Sequence, residues 1–382
     1  MRILFYDMGS FTYGDIKEAL LRAGHSVETL YYALPDKYSH TFFEERLALE
    51  LRNGSYDAIF SVNFFPVVAK IARENDTLYI SWSYDSPLEE GFLDYFGFNT
   101  NKVFLFDRSE AEYYQKRGFQ NVYHMPLAVN IDRINKLSKK SVTKSYTCDV
   151  AFMGSMYDSK LLDILSLTDA YISGYIEALM QVQLELYGTN IVDAALSEQF
   201  VNRFNKSMQA SGQSTVSITK KGLSFAIDKH LTHLERTMLV NELCEHLSVN
   251  YYGFDSDFLS EKVRKCGPLK YLTDMNYAFY EAKVNLCPTL RSITSGIPLR
   301  ALDIMAAGGL LLSNYQPELA EYFVDGESVL MYESLEDAIE KAVYYSGNFE
   351  AGKKIAGKGH EIVSSAFRYE DKINEILRIS FS

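Results

Sequence analysis

The sequence feature that constrains the fold most is a stretch between residues 281 and 322, where the hydrophobic pattern changes from strand to helix and back. Val284–Cys287 is a short apolar run typical of a buried strand, and the polar loop Leu290–Gly296 follows it. Pro298 suits the first position of a helix, where its missing N–H is not needed. The pair Gly308–Gly309 ends the apolar helix pattern, and another apolar run follows. This order of elements predicts strands of an α/β sheet joined by a helix.

The turn between this strand and this helix is suited to binding an anion. Ser295, Gly296 and Ile297 would present backbone N–H groups at the positive end of the helix dipole. Arg291 and Arg300 add positive charge beside the turn. We therefore expect a phosphate group to bind here, stabilised electrostatically by the arginines and the start of the helix.

Asp303 extends this pattern toward a nucleotide. It lies three residues after Arg300, so the two side chains share one face of the predicted helix. An arginine suits a diphosphate, and a carboxylate suits the ribose hydroxyls of the same ligand. The combination predicts a nucleotide site.

The stretch resembles the nucleotide-sugar site of GT-B glycosyltransferases, in particular the retaining group that carries two glutamates separated by seven residues. The matching positions are Ser295 and Asp303, which keep the spacing but retain only the second carboxylate, in shortened form. The resemblance implies that Ser295 lies near the sugar and that Asp303 holds the ribose. Because the first glutamate is replaced, retention and inversion of stereochemistry both stay open.

Three segments are similar to a bacterial subgroup of these enzymes: SGIPLRALDIMAAGG at 295–309, MPLAVN at 125–130 and SWSYDSP at 81–87. Members of this subgroup are spore-maturation, spore-coat and flagellin-type glycosyltransferases. They combine a group 1-like C-terminal domain with an uncharacterised Rossmann-like N-terminal domain. The resemblance covers nearly the whole chain and implies a GT-B fold, in which two Rossmann-like, doubly wound α/β domains face a cleft.

Length, charge and cysteine content limit the class of protein. The 382 residues favour two domains, and an apolar fraction of 47% suffices for two cores. A net charge of −12 argues against a nucleic-acid partner, which requires a basic face. The four cysteines are scattered without a C-x-x-C pair, as in a reduced cytoplasmic protein. Neither a signal peptide nor an apolar run of membrane-spanning length is visible, so we expect a cytoplasmic protein without a transmembrane segment.

Strands and helices alternate through residues 1–135, which predicts a first Rossmann-like domain with a parallel sheet. Ligands of such sheets bind at the carboxyl ends of the strands. Gly9 and Ser10 lie in the loop after the first strand, and the resemblance implies that this loop borders the acceptor. The glycines do not form G-x-G-x-x-G, so the dinucleotide fingerprint is absent, and a plain tight turn is the alternative.

Tyr84, Asp85 and His124 also stand at strand ends in this predicted domain. A carboxylate such as Asp85 can act as a base or bind hydroxyls, and capping of the turn before Pro87 is the alternative. His124 is either a structural histidine or a residue near the site. We place all three on the acceptor side.

A second domain is predicted after a lysine-rich polar linker at 130–146. Cys148–Ser155 restarts the strand–glycine pattern and opens a C-terminal nucleotide-sugar domain predicted at 146–365. Residues 160–247, with a polar break inside them, are mostly helical in pattern and predict an insertion in this domain. We expect residues 366–382 to form a helix that crosses back to the N-terminal domain.

Several residues of this second domain are candidates for donor binding. Backbone N–H groups of Gly154 and Ser155 suit the donor phosphates, with a simple strand-to-helix turn as the alternative. The resemblance adds Lys270, from the region that holds base- and phosphate-binding groups. Glu235 and Arg236 are interpreted as structural, with a donor contact as the alternative. The predicted donor-binding set is Gly154, Ser155, Lys270, Arg291, Ser295, Gly296, Ile297, Arg300 and Asp303.

These features predict a hexosyl- or related transferase that moves a sugar from a UDP-linked nucleotide sugar to a protein or cell-surface glycan. UDP follows from the resemblance, and Asp85 and Arg300 are the predicted catalytic residues. No metal or other cofactor is expected. Asp255–Asp257 spells D-x-D away from a strand end, and His230 and His233 lack a carboxylate partner at metal-binding spacing. A catalytically silent nucleotide-sugar-binding protein and a sugar-nucleotide epimerase are the alternatives.

Overall fold

The computed structural model describes residues 1–138, 145–157, 159–212 and 217–382. These residues form two compact units. The first unit consists of Met1–Ile134, Gly296–Leu302 and Ile362–Ser382, and the second of Asn135–Ser295 and Asp303–Glu361. Much of the predicted lysine-rich linker, at 139–144, and part of the polar break predicted in the helical insertion, at 213–215, lie outside the described residues.

The first unit is built on a six-stranded parallel sheet with the order β2-β1-β3-β4-β5-β6. Its inner strands β1, β3 and β4 are buried almost throughout, as expected for parallel strands covered on both faces. The strands are β1 (Arg2–Asp7), β2 (Ser26–Tyr31), β3 (Ala58–Val62), β4 (Leu78–Ser83), β5 (Asn101–Leu105) and β6 (Val122–His124).

Helices alternate with these strands, and local sequence signals fix where some of them begin. Pro66 is the first residue of its helix, where a missing N–H has no cost. Asp107 caps another helix, because its Oδ1 accepts the N–H of Ser109 at 3.1 Å. The helices are α1 (Tyr13–Arg22), α2 (Thr41–Gly54), α3 (Pro66–Glu74), α4 (Leu93–Phe96), α5 (Arg108–Lys116) and α6 (Ile131–Ser138).

The second unit contains another six-stranded parallel sheet, with the order β12-β11-β10-β7-β8-β9. The apolar run that opened the sequence analysis is β10, an inner strand that is almost fully buried. Two parallel sheets with intervening helices confirm the predicted α/β fold class. The strands are β7 (Cys148–Met153), β8 (Val249–Tyr252), β9 (Arg264–Lys265), β10 (Ala282–Cys287), β11 (Leu311–Asn314) and β12 (Leu330–Tyr332).

A group of helices lies in the chain between β7 and β8 and has a hydrophobic core of its own. The last of these helices is shared between two cores. Its Leu223 and Leu231 pack in the core of the helical group, whereas Leu239 and Leu243 pack in the core around the sheet. The middle of this helix therefore lies where the two cores meet. The helices are α7 (Leu161–Leu165), α8 (Ala170–Leu184), α9 (Val192–Ala195), α10 (Glu198–Ala210) and α11 (Lys220–His246).

The last helix of the chain belongs to the first unit and packs against α1. The segment before it is tied to the first unit as well, because the N–H of Val129 donates to the carbonyl of Phe367 at 2.9 Å. Arg22 on α1 pairs with Asp132 at 2.8 Å and with Glu370 at 2.9 Å. The remaining helices are α12 (Asp274–Glu281), α13 (Leu299–Ala306), α14 (Pro317–Tyr322), α15 (Leu335–Gly347), α16 (Phe349–Ala366) and α17 (Tyr369–Ser380).

Candidate active site

The carboxyl edge of the second sheet brings together the loops that follow β7, β8 and β10. These strands are parallel neighbours, so Gly154, Gly253 and Pro288 follow strand ends on the same edge. The first two loops touch closely. A Cβ built on Gly253 would lie 2.6 Å from the carbonyl oxygen of Gly154, which is too close for any side chain. Gly154 and Ser155 thus stand where ligands of parallel α/β sheets bind.

Arg236, on α11, crosses this edge. Its Nη1 donates to the carbonyl of Ser155 at 2.6 Å, and its Nη2 donates to the carbonyl of Pro288 at 2.5 Å. The guanidinium therefore connects the ends of β7 and β10. It also lies 4.9 Å from the ring centroid of Tyr157, which follows the β7 loop.

The electrostatic setting of Arg236 favours an anion. The residue is 8% exposed, and burial lowers the pKa of its guanidinium. Its Nη1 and Nη2 donate to neutral carbonyls, and its Nε has no hydrogen-bond partner among the described residues. A buried cation with neutral partners and an unused donor is stabilised by a bound anion. The sequence analysis treated Arg236 as a structural residue; these contacts instead make it a candidate for ligand binding.

Arg291, expected beside the diphosphate, has a different environment. Its Nε donates to Oε2 of the fully buried Glu235 at 2.7 Å, and its Nη1 donates to the carbonyl of Leu186 at 2.7 Å. The ring centroid of Tyr187 lies 4.3 Å from the guanidinium carbon. The hydroxyl of Tyr332 donates to the other carboxylate oxygen of Glu235 at 2.9 Å. These contacts occupy the guanidinium within the protein, and donor binding by Arg291 stays a prediction.

Ser295 lies beside a carboxylate that the sequence analysis missed. Its Oγ donates to Oε1 of Glu318 at 2.9 Å, and the N–H of Glu318 donates to the carbonyl of Ser295 at 3.1 Å. Both residues are buried. Glu318 is the second residue of α14, the helix that follows β11, and a carboxylate in the segment after a strand was the available signal. A carboxylate thus contacts the position where the resemblance places the first glutamate of the motif.

Asp303, on α13, is buried and accepts a hydrogen bond from the hydroxyl of Tyr271 at 3.1 Å. Tyr271 follows the predicted donor residue Lys270, which is exposed. Tyr271 thus contacts Asp303, the carboxylate that is expected to hold the ribose. Arg300 lies one turn earlier on the same helix and is partly exposed.

Gly296 and Ile297, predicted to present N–H groups to a phosphate, belong to the first compact unit. A Cβ on Gly296 would lie 2.9 Å from the Cα of Asp107 and 3.0 Å from the ring of Phe106. The missing side chain at position 296 is therefore required by packing in that unit. Ile297 is 3% exposed.

The loop after β1 is closed by Asp7. Its Oδ1 accepts the N–H of Gly9 at 2.8 Å and the N–H of Ser10 at 3.0 Å. Gly9 has φ = +100°, a conformation that side chains disfavour. Since Asp7 accepts both N–H groups, these contacts correspond to the tight-turn alternative.

Asp85 is exposed after β4, and Asn63 orients it. Nδ2 of Asn63 donates to Oδ2 of Asp85 at 2.7 Å, and Oδ1 of Asn63 accepts the N–H of Tyr84 at 2.7 Å. Asn63 follows β3 with φ = +65°, a conformation that asparagine adopts more readily than most residues. The sequence shows that Asn63 follows a strand, but no local pattern indicates that its side chain contacts Asp85. His124 ends β6 at the same edge of the sheet and is partly buried.

The paired histidines of α11 are held by protein atoms. His230 Nδ1 lies 2.9 Å from Oγ of Ser159, and His233 Nδ1 lies 2.9 Å from the carbonyl of Met156. Within the described ranges, no group of three or more histidine, cysteine, aspartate or glutamate side chains is arranged for a metal ion. Over the same residues, no helix has the length and apolar character needed to cross a membrane.

Asp228 is another buried acid of α11. Its Oδ1 accepts a hydrogen bond from Nδ2 of Asn190 at 2.8 Å, and the same amide group donates to the carbonyl of Arg291 at 3.1 Å. Burial raises the pKa of Asp228 to about 7. The carboxyl group is therefore protonated in the folded protein over a pH range where an exposed aspartate is ionised.

Comparison with known proteins supplies the family context. Residues 235–378 match a family model described as "Glycosyl transferase-like". A search of curated proteins finds no significant match. Among solved structures, Anabaena Alr3699/HepE, crystallised with UDP and glucose, is 11% identical with a TM-score of 0.51, and 99% of each chain is covered.

Two further structures share the fold over almost their entire length. Sucrose-phosphate synthase from Thermosynechococcus elongatus is 10% identical with a TM-score of 0.57, covering 99% of this chain and 98% of that one. T4 phage BGT, in complex with its UDP-glucose substrate, is 9% identical with a TM-score of 0.53, covering 100% of this chain and 99% of that one. A glycosyl transferase-like family model thus matches the C-terminal part of the chain, and the chain as a whole has the GT-B fold of these structures.

Proposed function

We propose that this enzyme transfers a sugar from a UDP-linked donor to a protein or glycan acceptor without a metal ion. The observation that carries the proposal is the buried guanidinium of Arg236, which lies at the carboxyl edge of the second sheet and donates hydrogen bonds to two neutral carbonyls. Two fold relatives were crystallised with UDP or UDP-glucose, which supports UDP as the nucleotide.

The donor diphosphate is assigned to the loops after β7 and β10. Arg236 and the backbone N–H groups of Gly154 and Ser155 supply the positive potential. Negative charge grows on the diphosphate as the sugar–oxygen bond breaks, so a fixed cation stabilises the transition state more than the bound donor. A single such group is worth roughly a hundred- to a thousandfold in kcat.

The ribose is assigned to Asp303. Its carboxylate is preorganised by Tyr271 at 3.1 Å, which reduces the entropy lost when ribose hydroxyls bind. Ser295, with Glu318 against its hydroxyl, is assigned to the sugar. Because the carboxylate of Glu318 contacts the position of the first motif glutamate, we propose that the transfer retains the stereochemistry of the sugar.

The acceptor is assigned to the first unit. Asp85, held by Asn63, is the proposed base for the acceptor hydroxyl, and Gly9, Ser10, Tyr84 and His124 belong to the same edge of the sheet. A protein acceptor of the spore-coat or flagellin type follows from the sequence resemblance to a bacterial subgroup. A cell-surface glycan is the second acceptor class, and the cytoplasm is the proposed location.

Thermal shifts with UDP-, GDP-, TDP- and CMP-sugars test the donor assignment. A ligand at a hundred times its Kd adds about 2.7 kcal/mol to stability, so the UDP-sugar is expected to stand out. Arg236→Gln should remove most of this shift, while Arg203→Gln, an exposed arginine of α10, should keep it. A full shift in Arg236→Gln would contradict the assignment.

Release of UDP from UDP-glucose, followed by product analysis, tests the chemistry. Wild-type protein is expected to hydrolyse UDP-glucose slowly, which releases UDP. The release of UDP should be faster when an acceptor is present. Donor binding without any release over hours would indicate a silent binding protein. An epimerised nucleotide sugar without an acceptor would indicate an epimerase.

A further inference from the structure

A cavity of about 460 Å³ lies at the amino edge of the second sheet. Thr147 directly precedes β7, Lys283 is the second residue of β10, and Leu310 directly precedes β11, and all three line the cavity. The proposed donor site lies at the carboxyl edge of these strands. A strand of six residues such as β10 spans roughly 20 Å. The cavity is therefore separate from the donor site.

Two exposed aromatic side chains border this cavity. Tyr280, near the end of α12, is 64% exposed, and Phe349, at the start of α16, is 37% exposed. Large aromatic side chains are usually buried, so two of them around one opening indicate a surface that meets a ligand.

Glycines leave the wall between these aromatic residues open. Gly308, Gly352 and Gly357 line the cavity, the last two on α16. A Cβ on Gly352 would press against Leu310 at 3.0 Å, whereas a Cβ on Gly357 would meet no atom within 4 Å. Position 357 is thus a place where a larger side chain would narrow the cavity without disturbing the packing.

Both lysines that line the cavity are close to carboxylates. Lys283 pairs with Asp149 at 2.7 Å, and Lys353 lies 3.5 Å from Glu350. Glu281 adds a negative charge to the lining. A phosphate or another strong anion needs excess positive charge, which this lining does not provide. A ligand with many hydroxyl groups and no charge fits it better.

We infer that this cavity binds a neutral sugar residue of a glycan chain. One face of a pyranose ring consists of C–H bonds that pack against aromatic rings, and its hydroxyls pair with carboxylate and ammonium groups. The volume falls within the ~300–1,000 Å³ of small-molecule sites. The inference rests on the proposed function only for the source of the glycan, which is the acceptor or the elongated product.

An array of neutral and acidic oligosaccharides, probed with fluorescently labelled protein, tests this inference. Wild-type protein should bind neutral members. Gly357→Leu, which fills the opening, and Tyr280→Ala, which removes an aromatic face, should each lower the signal at least tenfold. The matched controls are Gly174→Leu, at an exposed helical glycine with no atom near its Cβ position, and Tyr344→Ala, at a 58% exposed tyrosine outside the cavity.

The inference is overturned if wild-type protein binds no neutral glycan, binds only acidic ones, or keeps its binding in a folded cavity variant. Circular dichroism shows whether Gly357→Leu and Tyr280→Ala are folded. One folded variant of the two suffices for the comparison with wild-type glycan binding. The UDP-glucose thermal shift should be unchanged in both. Failure of that shift in the wild type would contradict the proposed donor site, while loss of glycan binding in the variants would still support the cavity.

Discussion

Nε of Arg291 lies 2.7 Å from Oε2 of Glu235, and the pair is buried at the junction between α11 and the loop after β10. The same arginine donates to the carbonyl of Leu186, after α8. The pair therefore connects the helical insertion to the edge of the sheet where the donor is proposed to bind. Breaking such a buried pair leaves one charge without compensation, which costs more than the pair contributes to stability.

Replacing Glu235 by alanine is expected to lower the free energy of unfolding by about 3–5 kcal/mol, because Arg291 stays buried without its carboxylate. Urea denaturation followed by circular dichroism measures this loss. The double variant Glu235→Leu with Arg291→Met should lose much less, since both charges disappear together. A loss below about 1 kcal/mol in Glu235→Ala would contradict the uncompensated-charge explanation.

Asp228 predicts a pH dependence of stability. Its pKa is raised to about 7 in the folded protein, above its ordinary value of 3.8, so the folded state holds a proton that the unfolded state has released. Stability should therefore fall as the pH rises from about 4 to about 7 and then level off, by roughly 4 kcal/mol in total. Asp228→Asn should remove this contribution and gain stability relative to the wild type at pH 8.

Urea denaturation at pH 4.5, 6 and 8 measures the difference between this variant and the wild type. Asp163→Asn, at an exposed aspartate of α7, is the matched control and should follow the wild-type curve. An Asp228→Asn curve parallel to the wild type at all three pH values would show that the carboxyl titrates normally.

Replacing Asn63 is expected to lower kcat, although Asn63 is not proposed to contact the reacting atoms. Asn63→Gly keeps the backbone conformation at φ = +65° accessible but removes both side-chain contacts that orient Tyr84 and Asp85. We expect kcat to fall roughly 10- to 100-fold with a smaller change in KM, because the proposed base is misplaced. Steady-state UDP release with an acceptor measures both constants.

Asp85→Asn provides the comparison for Asn63. If Asn63 acts through Asp85, the double variant should be no slower than Asp85→Asn alone. Losses that multiply would instead assign Asn63 a separate function.

Replacing Gly253 by alanine is expected to lower both the stability of the protein and its affinity for the donor. In Gly253→Ala the new methyl group would overlap the hydroxyl oxygen of Tyr251 and lie 2.6 Å from the carbonyl oxygen of Gly154, so Tyr251 and the loops after β7 and β8 must shift. A cost of about 1–3 kcal/mol is expected from this overpacking, together with a weaker UDP-sugar shift. Gly347→Ala, where nothing lies within 4 Å, is the control and should be neutral or slightly stabilising. A normal UDP-sugar shift in Gly253→Ala would place the diphosphate elsewhere.

The parallel sheets were predictable because their strands are local apolar runs between loops. Val284–Cys287 and Ile3–Tyr6 both lie in buried strands, since short, predominantly apolar runs between polar loops have few other stable arrangements. The helix predicted to start at Pro298 starts at Leu299 in the structure, a difference within the uncertainty of helix ends.

The roles of the arginines were not predictable from the sequence. Arg236 contacts carbonyls 81 and 52 residues away, and Arg291 finds its carboxylate 56 residues away. No periodicity connects such positions, so the sequence could show charge but not which arginine is paired. The same reason hid the contacts of Asn63, whose partner follows the neighbouring strand β4, and of Glu318, whose partner Ser295 is 23 residues away.

The packing of α17 on α1 has a consequence for synthesis. Both helices belong to one compact unit, although nearly the whole chain separates them. While a ribosome is still translating, α1 must wait for α17, which is synthesised much later, so the N-terminal sheet leaves the exit tunnel with one of its helices uncovered. Premature termination before residue 362 would yield a chain with that apolar surface permanently open to chaperones and proteases.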